Sequence, residues 1–342
     1  MGTVPRIGID AMGGDHGPSV VAEGLALARR EMSGRFRACL VGDEADIRRE
    51  LKRHHLSDAD ADVVHAPERV DMADKAARSA RRGDKTSLGI LTRLHKEGQV
   101  DAIFSAGNTG AVVATALLGL GRLEGVSRPA LAAFFPNGKP GSGTVVLDVG
   151  ANADVKPQYL VQFAHMGACY ARYLLGRENP RVGLLSIGEE EGKGDALVLE
   201  AYPLLKSASH LNFIGNVEGR DILKDTCDVI VTDGFTGNVA LKTAESAANL
   251  LMGEVRRAVK SDPLAMLGAL FMRPALSRVR RSIDWEEYGA APLLGVNGVC
   301  FIGHGSSRGR AFRSAIRTLT AFVEQRVNEH IREEIQSDHV AA

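Results

Sequence analysis

Residues 8–24, with the sequence GIDAMGGDHGPSVVAEG, join an apolar segment to a helical one through a turn rich in glycine and aspartate. Ile7 and Ile9 predict a short buried strand, and the residues from Pro18 onward predict a helix. Glycines in such a turn let the backbone come close to a ligand, and the free N–H groups of a helix start attract anions. The stretch therefore predicts a strand, an anion-binding turn and a helix, which is the repeating unit of an α/β sheet.

Apolar, β-branched runs alternate with helical patterns along the rest of the chain. The runs are RACLVGD, ADVVHAP, VDAIFSAG, LAAFFP, TVVLDVG, RVGLLSIG, LNFIGNV, CDVIVTDG and GVCFIG. Such alternation is typical of a mostly parallel sheet between layers of helices. Several runs end in Gly, Asp, Asn or Ser, which places polar turns at the carboxyl ends of strands, where α/β sheets bind ligands. We expect a three-layer αβα fold that forms one domain over residues 1–335.

The composition argues against several classes of protein. The chain has 342 residues, and its 42 Lys and Arg residues balance 42 Asp and Glu residues, which disfavours a general nucleic-acid-binding protein. The four cysteines are far apart and form no CxxC pair, so neither a zinc knuckle nor a disulfide framework is indicated and a reducing cytoplasm is expected. The chain starts without a signal-like segment, and its longest apolar run, AVVATALLGLG, is too short to cross a bilayer.

Four strand-end loops carry the candidate binding groups: DAMGGD, SAGNTGA, GEEEGKGD and DGFTGN. In SAGNTGA, Asn108 or Thr109 is placed to cap a helix that starts near Gly110, which leaves Gly107 and the first-turn amides for an anion. In DGFTGN, Asp233 is followed in the same way by a glycine-spaced polar turn and a long helix. One loop alone fits an ordinary helix cap, but four in one α/β chain indicate a shared anion-binding cleft.

Two motifs resemble known signatures without meeting them. GEEEGKGD is one residue too short for a nucleotide-binding P-loop and lacks Ser or Thr after Lys193. Lys193 remains a candidate cation for phosphate or an oxyanion, or else a surface lysine paired with Glu189 to Glu191. GSSRG matches a nucleophile elbow at Ser307, but the acid and histidine of a hydrolase triad would have to follow it, and only a terminal helix does.

Two motifs could be interpreted as binding a nicotinamide cofactor or a metal, but the pattern of each argues against such a site. GHGSSRG has a glycine spacing related to nicotinamide-binding loops, but it lies too late in the chain for a downstream ribose-binding acid. Asp148, Asn152 and Asp154 offer oxygen ligands for a hard cation, although acidic residues in this pattern more often make turns. We therefore expect no cofactor and no metal.

Residues 255–282 differ from the rest of the chain because they combine basic residues with an apolar cluster. The basic residues include Arg256, Arg257, Lys260, Arg273 and Arg278, and the apolar ones include Leu264, Met266, Leu267, Leu270, Phe271 and Met272. Pro263 and Pro274 are expected to bracket the apolar cluster as a short helix, within an amphipathic hairpin at about 255–285. Such a hairpin fits an anionic membrane or an acidic partner, and it fits a dimer interface equally well.

The loop sequences resemble one known family. They are IGIDAMGGDHGP, SAGNTGA, LDVGAN, IGEEEGKGD, DGFTGNVALKT and APLLGVNGVCFIGHGSS. In this order they resemble the bacterial phosphate acyltransferases of phospholipid synthesis, the PlsX family, over nearly the whole chain. The resemblance implies a Rossmann-like α/β architecture similar to that of phosphotransacetylases and isopropylmalate dehydrogenases. It also implies the transfer of a long-chain acyl group from acyl carrier protein to inorganic phosphate, which gives acyl phosphate.

This reaction needs positioning and charge stabilisation rather than an activated serine or cysteine, because phosphate is already nucleophilic and a thiolate leaves readily. We assign phosphate or product binding to Gly13, Gly14, Gly107, Asn108, Thr109, Thr236 and Gly237. Lys193 and Asn238 are assigned to the oxyanion or to orienting phosphate, Asp10 and Asp233 to organising these groups, and His304 to proton transfer to the thiol.

The resemblance also implies partners. An acidic acyl carrier protein would dock on the basic segment, whose Leu270 and Phe271 would touch the membrane that receives the product. A homodimer in the cytoplasm, peripherally associated with the inner face of the cell membrane, and a downstream glycerol-phosphate acyltransferase are expected. The alternatives are a phosphotransacetylase acting on acyl coenzyme A, a non-catalytic membrane scaffold and a β-decarboxylating dehydrogenase.

Overall fold

The structure is a computed structural model that describes residues 4–137, 139, 142–283 and 290–341. In these ranges the strands are β1 (Arg6–Asp10), β2 (Arg37–Gly42), β3 (Ala61–His65), β4 (Ala102–Ser105), β5 (Ala130–Pro136), β6 (Gly143–Leu147), β7 (Arg181–Leu185), β8 (Asn212–Val217), β9 (Val229–Val231), β10 (Ala291–Leu294) and β11 (Cys300–Ile302). The helices are α1 (Pro18–Glu31), α2 (Glu44–Arg53), α3 (Ala76–Arg81), α4 (Ser87–Lys96), α5 (Thr109–Gly119), α6 (Pro157–Leu175), α7 (Ala196–Ser207), α8 (Gly234–Ser261), α9 (Pro263–Ile283), α10 (Gly309–Glu324) and α11 (Val327–Ala341). Short 3-10 helices lie at Gly83–Lys85 and Gly219–Leu223.

All the strands form a single sheet in the order β3-β2-β1-β4-β11-β10-β5-β6-β9-β7-β8. The first five are mutually parallel, and so are β6, β9, β7 and β8. Between these groups, β10 is antiparallel to both its neighbours, and β5 is antiparallel to β6. The two parallel halves of the sheet therefore run in opposite directions.

The register of the two central strands brings the carboxyl ends of both halves together. Ile302, the last residue of β11, pairs with Ala291, and Leu293 two residues later pairs with Leu131 of β5. Leu147, the last residue of β6, pairs with the residue that follows Leu131. Loops that follow strands of either half can therefore line one site, although the halves point in opposite directions.

Helices cover both faces of the sheet, because alternate residues of the strands belong to different apolar cores. On β4, Phe104 contacts the core shared with α1, α6, α7, α10 and α11, whereas Ile103 contacts the core shared with α4 and α5. The ring of Phe104 packs edge-on against Phe312 of α10 with centroids 5.1 Å apart. This period of two confirms the three-layer αβα fold with a mostly parallel sheet.

The strand predictions from the sequence are confirmed, but β10 was missed. It is only four residues long, contains Pro292, and changes partner halfway, from β11 to β5. A strand this short carries no readable alternation, and proline disfavours a central strand. In the structure, β10 is identified by its pairing with β11 on one side and with β5 on the other.

The predicted boundary at Pro274 is wrong. Pro263 does begin α9, but the helix continues through Pro274 to Ile283. Proline removes one backbone hydrogen bond to the residue four positions earlier, here Leu270, which is exposed. Water can reach the Leu270 carbonyl, so the cost of the lost bond is reduced. The hairpin is also longer than expected, because α8 starts at Gly234, while residues 284 and 285 lie outside the described ranges.

Candidate active site

A cavity of about 910 Å³ opens where the two halves of the sheet meet. Its polar end is formed by loops that follow β4, β6, β9 and β11, and it includes Gly107, Thr109, Gly150, Asn238 and His304. Most of the remaining wall is apolar. A concave, mostly apolar cavity with a few convergent polar groups is the usual form of a small-molecule site.

Buried Asp10 fixes the loops that follow β1 and β4. Its Oδ2 accepts a hydrogen bond of 2.7 Å from Ser105 Oγ, and Ser105 Oγ accepts one of 3.1 Å from the Gly107 N–H. A Cβ on Gly13 would lie 2.9 Å from the Gly107 nitrogen, so only glycine permits this close approach. Asp10 is outside the cavity lining, and the geometry makes it a positioning residue.

Burial raises the pKa of Asp10 above its ordinary value of 3.8. The folded state therefore binds the proton of the Asp10 carboxyl group more tightly than the unfolded state does. The stability that protonated Asp10 contributes is lost as the pH rises from 3.8 through the folded-state pKa. We expect the free energy of unfolding of the wild type to fall over this range relative to that of Asp10→Asn. Urea unfolding at a series of pH values measures the difference, and parallel pH profiles would contradict it.

Asn108 caps helix α5, as one of the two sequence alternatives proposed. Its Oδ1 accepts a hydrogen bond of 3.0 Å from the Ala111 N–H, and its Nδ2 donates to the carbonyls of Met72 at 2.7 Å and Asp74 at 3.1 Å. The side chain is therefore committed to the protein. The backbone N–H groups of Thr109 and of the next residue, by contrast, have no acceptor in the described part of the chain.

Replacing Asn108 separates its two structural roles. Asn108→Ala is expected to lower the free energy of unfolding by about 1–2 kcal/mol through loss of the cap. Asn108→Asp keeps the capping oxygen but loses both bonds to the 72–74 segment, so we expect a smaller loss of stability with greater protease sensitivity in that segment. Equal destabilisation by the two variants in chemical unfolding would show that the cap is not the main contribution.

The loop after β6 is organised by Asp148, which is fully buried. Its Oδ1 accepts hydrogen bonds from the N–H groups of Leu131, Gly150 and Ala151, and its Oδ2 accepts from the backbone and side-chain nitrogens of Asn152, at 2.7–3.1 Å. Burial raises the pKa of Asp148, and these hydrogen bonds oppose the shift. These N–H groups occupy the carboxylate lone pairs that a bound cation would need. Asp148 and Asn152 therefore serve to form a turn.

Helix α8 begins against this turn. Asp233 caps the helix through a hydrogen bond of 2.8 Å from the Thr236 N–H to Oδ1. The Gly234 N–H donates to the Asn152 carbonyl at 2.8 Å, whereas the Phe235 N–H has no acceptor among the described residues. The next turn of the helix presents Asn238 to the cavity, while Thr236 is exposed outside its lining.

His304 completes the polar end of the cavity. The loop that carries it is fixed to the first loop of the chain, since the Asp15 N–H donates to the Gly305 carbonyl at 2.8 Å. Gly14, with φ of +85°, comes close to the same carbonyl. The Ser306 N–H and hydroxyl lie 3.2 and 2.8 Å from His304 Nδ1, which therefore accepts, so the neutral ring carries its proton on Nε2.

The structure does not bring Lys193 to the cavity. Its exposed side chain lies in the loop between β7 and α7, outside the cavity lining. The amide of Asn216 donates to the carbonyls of Glu190 and Lys193, so the loop is held toward edge strand β8 and away from β9. Ser307, the residue of the elbow alternative, is 1 % exposed and also lies outside the lining.

The sequence analysis did not assign the four charged residues that line the cavity, Asp15, Lys242, Glu245 and Arg317. Among them, Lys242 Nζ donates to Glu245 Oε2 at 2.9 Å. The signal for Lys242 was present in the motif DGFTGNVALKT, because Lys242 follows Asn238 by four residues and therefore shares its helix face.

The hairpin of α8 and α9 presents its apolar and basic side chains to solvent. Leu270 is 63 % and Phe271 80 % exposed, and the flanking basic residues are exposed as well. These basic residues are Arg256, Arg257, Lys260, Arg273 and Arg278. In the described part of the chain, no helix combines the length and the apolar character that a membrane span requires.

Known proteins resemble this chain over nearly its whole length. A profile of the family described as "Fatty acid synthesis protein" matches residues 5–330. A phosphate acyltransferase of Thermus thermophilus is 50 % identical over 335 residues, which are 98 % of this chain and 100 % of that protein. A phosphate acyltransferase of Brevibacillus brevis is 45 % identical over 333 residues, which are 97 % of this chain and 98 % of that protein.

Solved structures share the fold at low sequence identity. A phosphotransacetylase from Streptococcus pyogenes superimposes with a TM-score of 0.60 at 19 % identity and covers 94 % of each chain. The EutD phosphotransacetylase from Staphylococcus aureus gives a TM-score of 0.58 at 14 % identity, covering 93 % of this chain and 94 % of that one. These structures bear out the Rossmann-like α/β architecture.

Proposed function

Because this chain belongs to the phosphate acyltransferase family, we propose that it transfers a long-chain fatty acyl group from acyl carrier protein to inorganic phosphate, which yields an acyl phosphate for phospholipid synthesis. The observation that best supports this reaction is the meeting of two helix N-termini at one cavity. Thr109 of α5 and Phe235 of α8 carry backbone N–H groups with no acceptor among the described residues. Two such ends suit a reaction with two negative centres, the phosphate and the oxyanion.

The proposed chemistry assigns one centre to each helix. Phosphate binds at the start of α5, near Thr109 and Gly107, and one phosphate oxygen attacks the thioester carbonyl carbon. The oxyanion that forms is stabilised by the Phe235 N–H and the amide of Asn238. As the oxyanion collapses, the C–S bond breaks, and the sulfur departs as a thiolate that accepts a hydrogen bond from the His304 Nε2–H and then takes a proton from water. Nucleophilic attack by a side chain is not required, because phosphate itself is the nucleophile.

The reaction is tested by incorporating [32P]phosphate into an organic-extractable product from palmitoyl carrier protein. We expect incorporation to equal the amount of thiol released. Thiol release without labelled product would contradict phosphate as the acceptor. Activity with acetyl coenzyme A but not with palmitoyl carrier protein would favour the phosphotransacetylase alternative.

The exposed basic residues of the hairpin support a protein-bound acyl donor, since a small thioester needs no docking surface. Acyl carrier protein is acidic, so we propose that it docks on Arg273 and Arg278. The double variant Arg273→Glu/Arg278→Glu is expected to lower kcat/KM for palmitoyl carrier protein about tenfold or more, with palmitoyl coenzyme A little affected. Arg69→Glu, an exposed charge reversal outside the hairpin, is the control. An equal loss with both donors would contradict docking at this surface.

Leu270 and Phe271 support peripheral membrane contact, because two large apolar side chains are exposed beside basic residues. We propose that the hairpin inserts them into an anionic bilayer, where a downstream glycerol-phosphate acyltransferase would receive the product. Vesicle flotation should show the loss of most binding in Leu270→Glu/Phe271→Glu. Unchanged flotation would remove the membrane role and leave the proposed homodimer as the use of this apolar surface, which sedimentation of the same variant measures.

A further inference from the structure

A short strap, residues 67–75, joins β3 to α3 beside the polar end of the cavity. Most of the strap is exposed, but the side chain of Met72 lines the cavity together with Gly107 and Thr109. Met72 is 47 % exposed, so one side of this residue contacts solvent while the other borders the cavity. Met72 therefore lies between the polar end of the cavity and the surrounding water.

Met72 connects two of the loops that form the polar end. Its carbonyl accepts a hydrogen bond of 2.7 Å from Asn108 Nδ2, at the start of α5. Its terminal methyl group reaches the loop after β11, where a Cβ on Gly305 would lie 2.9 Å from Met72 Cε. Gly305 directly follows His304. Met72 thus extends from the proposed phosphate site at α5 to the loop that carries His304.

Hydrogen bonds and ion pairs hold the strap in this position. Asn108 Nδ2 also donates to the Asp74 carbonyl at 3.1 Å. Arg82, just after α3, donates from Nε to Glu68 Oε2 at 3.0 Å and from Nη1 to Asp74 Oδ2 at 3.2 Å. The strap is therefore fixed on both sides of Met72, which keeps the methionine side chain at the polar end.

Water competes with phosphate in the proposed reaction. If a water oxygen attacks the thioester carbonyl carbon, the C–S bond breaks, the thiolate takes a proton from that water, and a free fatty acid forms instead of acyl phosphate. Water is far more abundant than phosphate, so a thioester that solvent can reach is subject to this loss. A closed site prevents the loss by excluding water from the reacting atoms.

We propose that Met72 is a specificity-determining residue, which covers the bound phosphate and thioester and thereby selects phosphate over water as the acceptor. The inference rests on the proposed function, because hydrolysis is a side reaction only if phosphate is the acceptor. A smaller side chain at this position admits water, while the start of α5 and the oxyanion donors stay in place.

Met72→Ala tests this role, since it shortens the cover and keeps the carbonyl that Asn108 binds. Thiol and palmitate released from palmitoyl carrier protein are measured in phosphate-free buffer. We expect Met72→Ala to release both at least about tenfold faster than the wild type, because water reaches the thioester. Met72→Leu, which keeps a large apolar side chain, should behave as the wild type. Lys75→Ala is the control, because Lys75 is an exposed strap residue outside the cavity lining.

The possible outcomes separate this inference from the proposed function. Release by the wild type at its full rate without phosphate would contradict the proposed function, and the selection of phosphate by Met72 with it. If release by the wild type depends on phosphate and Met72→Ala hydrolyses the thioester no faster, only the role of Met72 is overturned. Equal hydrolysis by Met72→Ala and Lys75→Ala would also overturn it, because any change in the strap would then have the same effect.

Discussion

Gly237→Ala is expected to lose most acyl-transfer activity and to unfold more readily than the wild type. A Cβ at this position would lie 1.9 Å from the carbonyl oxygen of Asp148, far inside van der Waals contact. The start of α8 would have to move away from the loop after β6, and with it the Phe235 N–H and the Asn238 amide. We expect kcat to fall about a hundredfold or more, because misplaced donors no longer meet the oxyanion, and stability to fall by about 1–3 kcal/mol.

Gly253→Ala provides the matched control for this prediction. Gly253 lies on the same helix, and a Cβ there meets no atom within 4 Å. Alanine has the higher helix propensity, so we expect stability to rise by a few tenths to about 1 kcal/mol with activity unchanged. Kinetics and urea unfolding of the two variants separate local crowding from a general effect of alanine in α8. Full activity in Gly237→Ala would show that the position of the helix start is not critical.

Asn238→Ala is expected to lower kcat about 10²- to 10³-fold, the usual effect of removing one oxyanion donor. KM should change little, because the contact strengthens only as charge develops on the oxygen. Val239→Ala is the control, since Val239 is an exposed neighbour outside the lining of the cavity. A rise in KM at constant kcat would instead place Asn238 in ground-state binding.

Lys193→Ala tests the role predicted from the sequence. With the loop between β7 and α7 held by Asn216, we expect activity within about twofold of wild type, as for a surface substitution. A loss as large as that of Asn238→Ala would show that this loop moves over the cavity during turnover. The same kinetic assay measures both variants.

The fold was predictable because its strands carry local signals. Runs such as TVVLDVG and CDVIVTDG become β6 and β9, and the loops that follow them do line the cavity. The reversal between the halves of the sheet was not predictable, since it depends on β10, a four-residue strand whose partners lie far apart in sequence. Pairing across long sequence separation leaves no pattern in one strand.

The site was predictable at the level of loops but not of side chains. Asn108 and Asp233 have residue types that serve equally as caps or as ligands, and the structure uses both as caps. Lys193 lies in a loop whose direction is set by Asn216, about twenty residues later in the chain, so spacing alone could not place it. Lys242 was accessible to reasoning from helix periodicity, because it shares a face with Asn238.

The proposed reaction requires phosphate to be the acceptor at the cavity where α5 and α8 begin. The most direct measurement is release of free thiol from palmitoyl carrier protein with and without inorganic phosphate, with hydroxylamine added to trap the product. We expect release that depends strictly on phosphate and yields an equal amount of acyl hydroxamate. Release at the same rate without phosphate would identify water as the acceptor and contradict the proposed reaction.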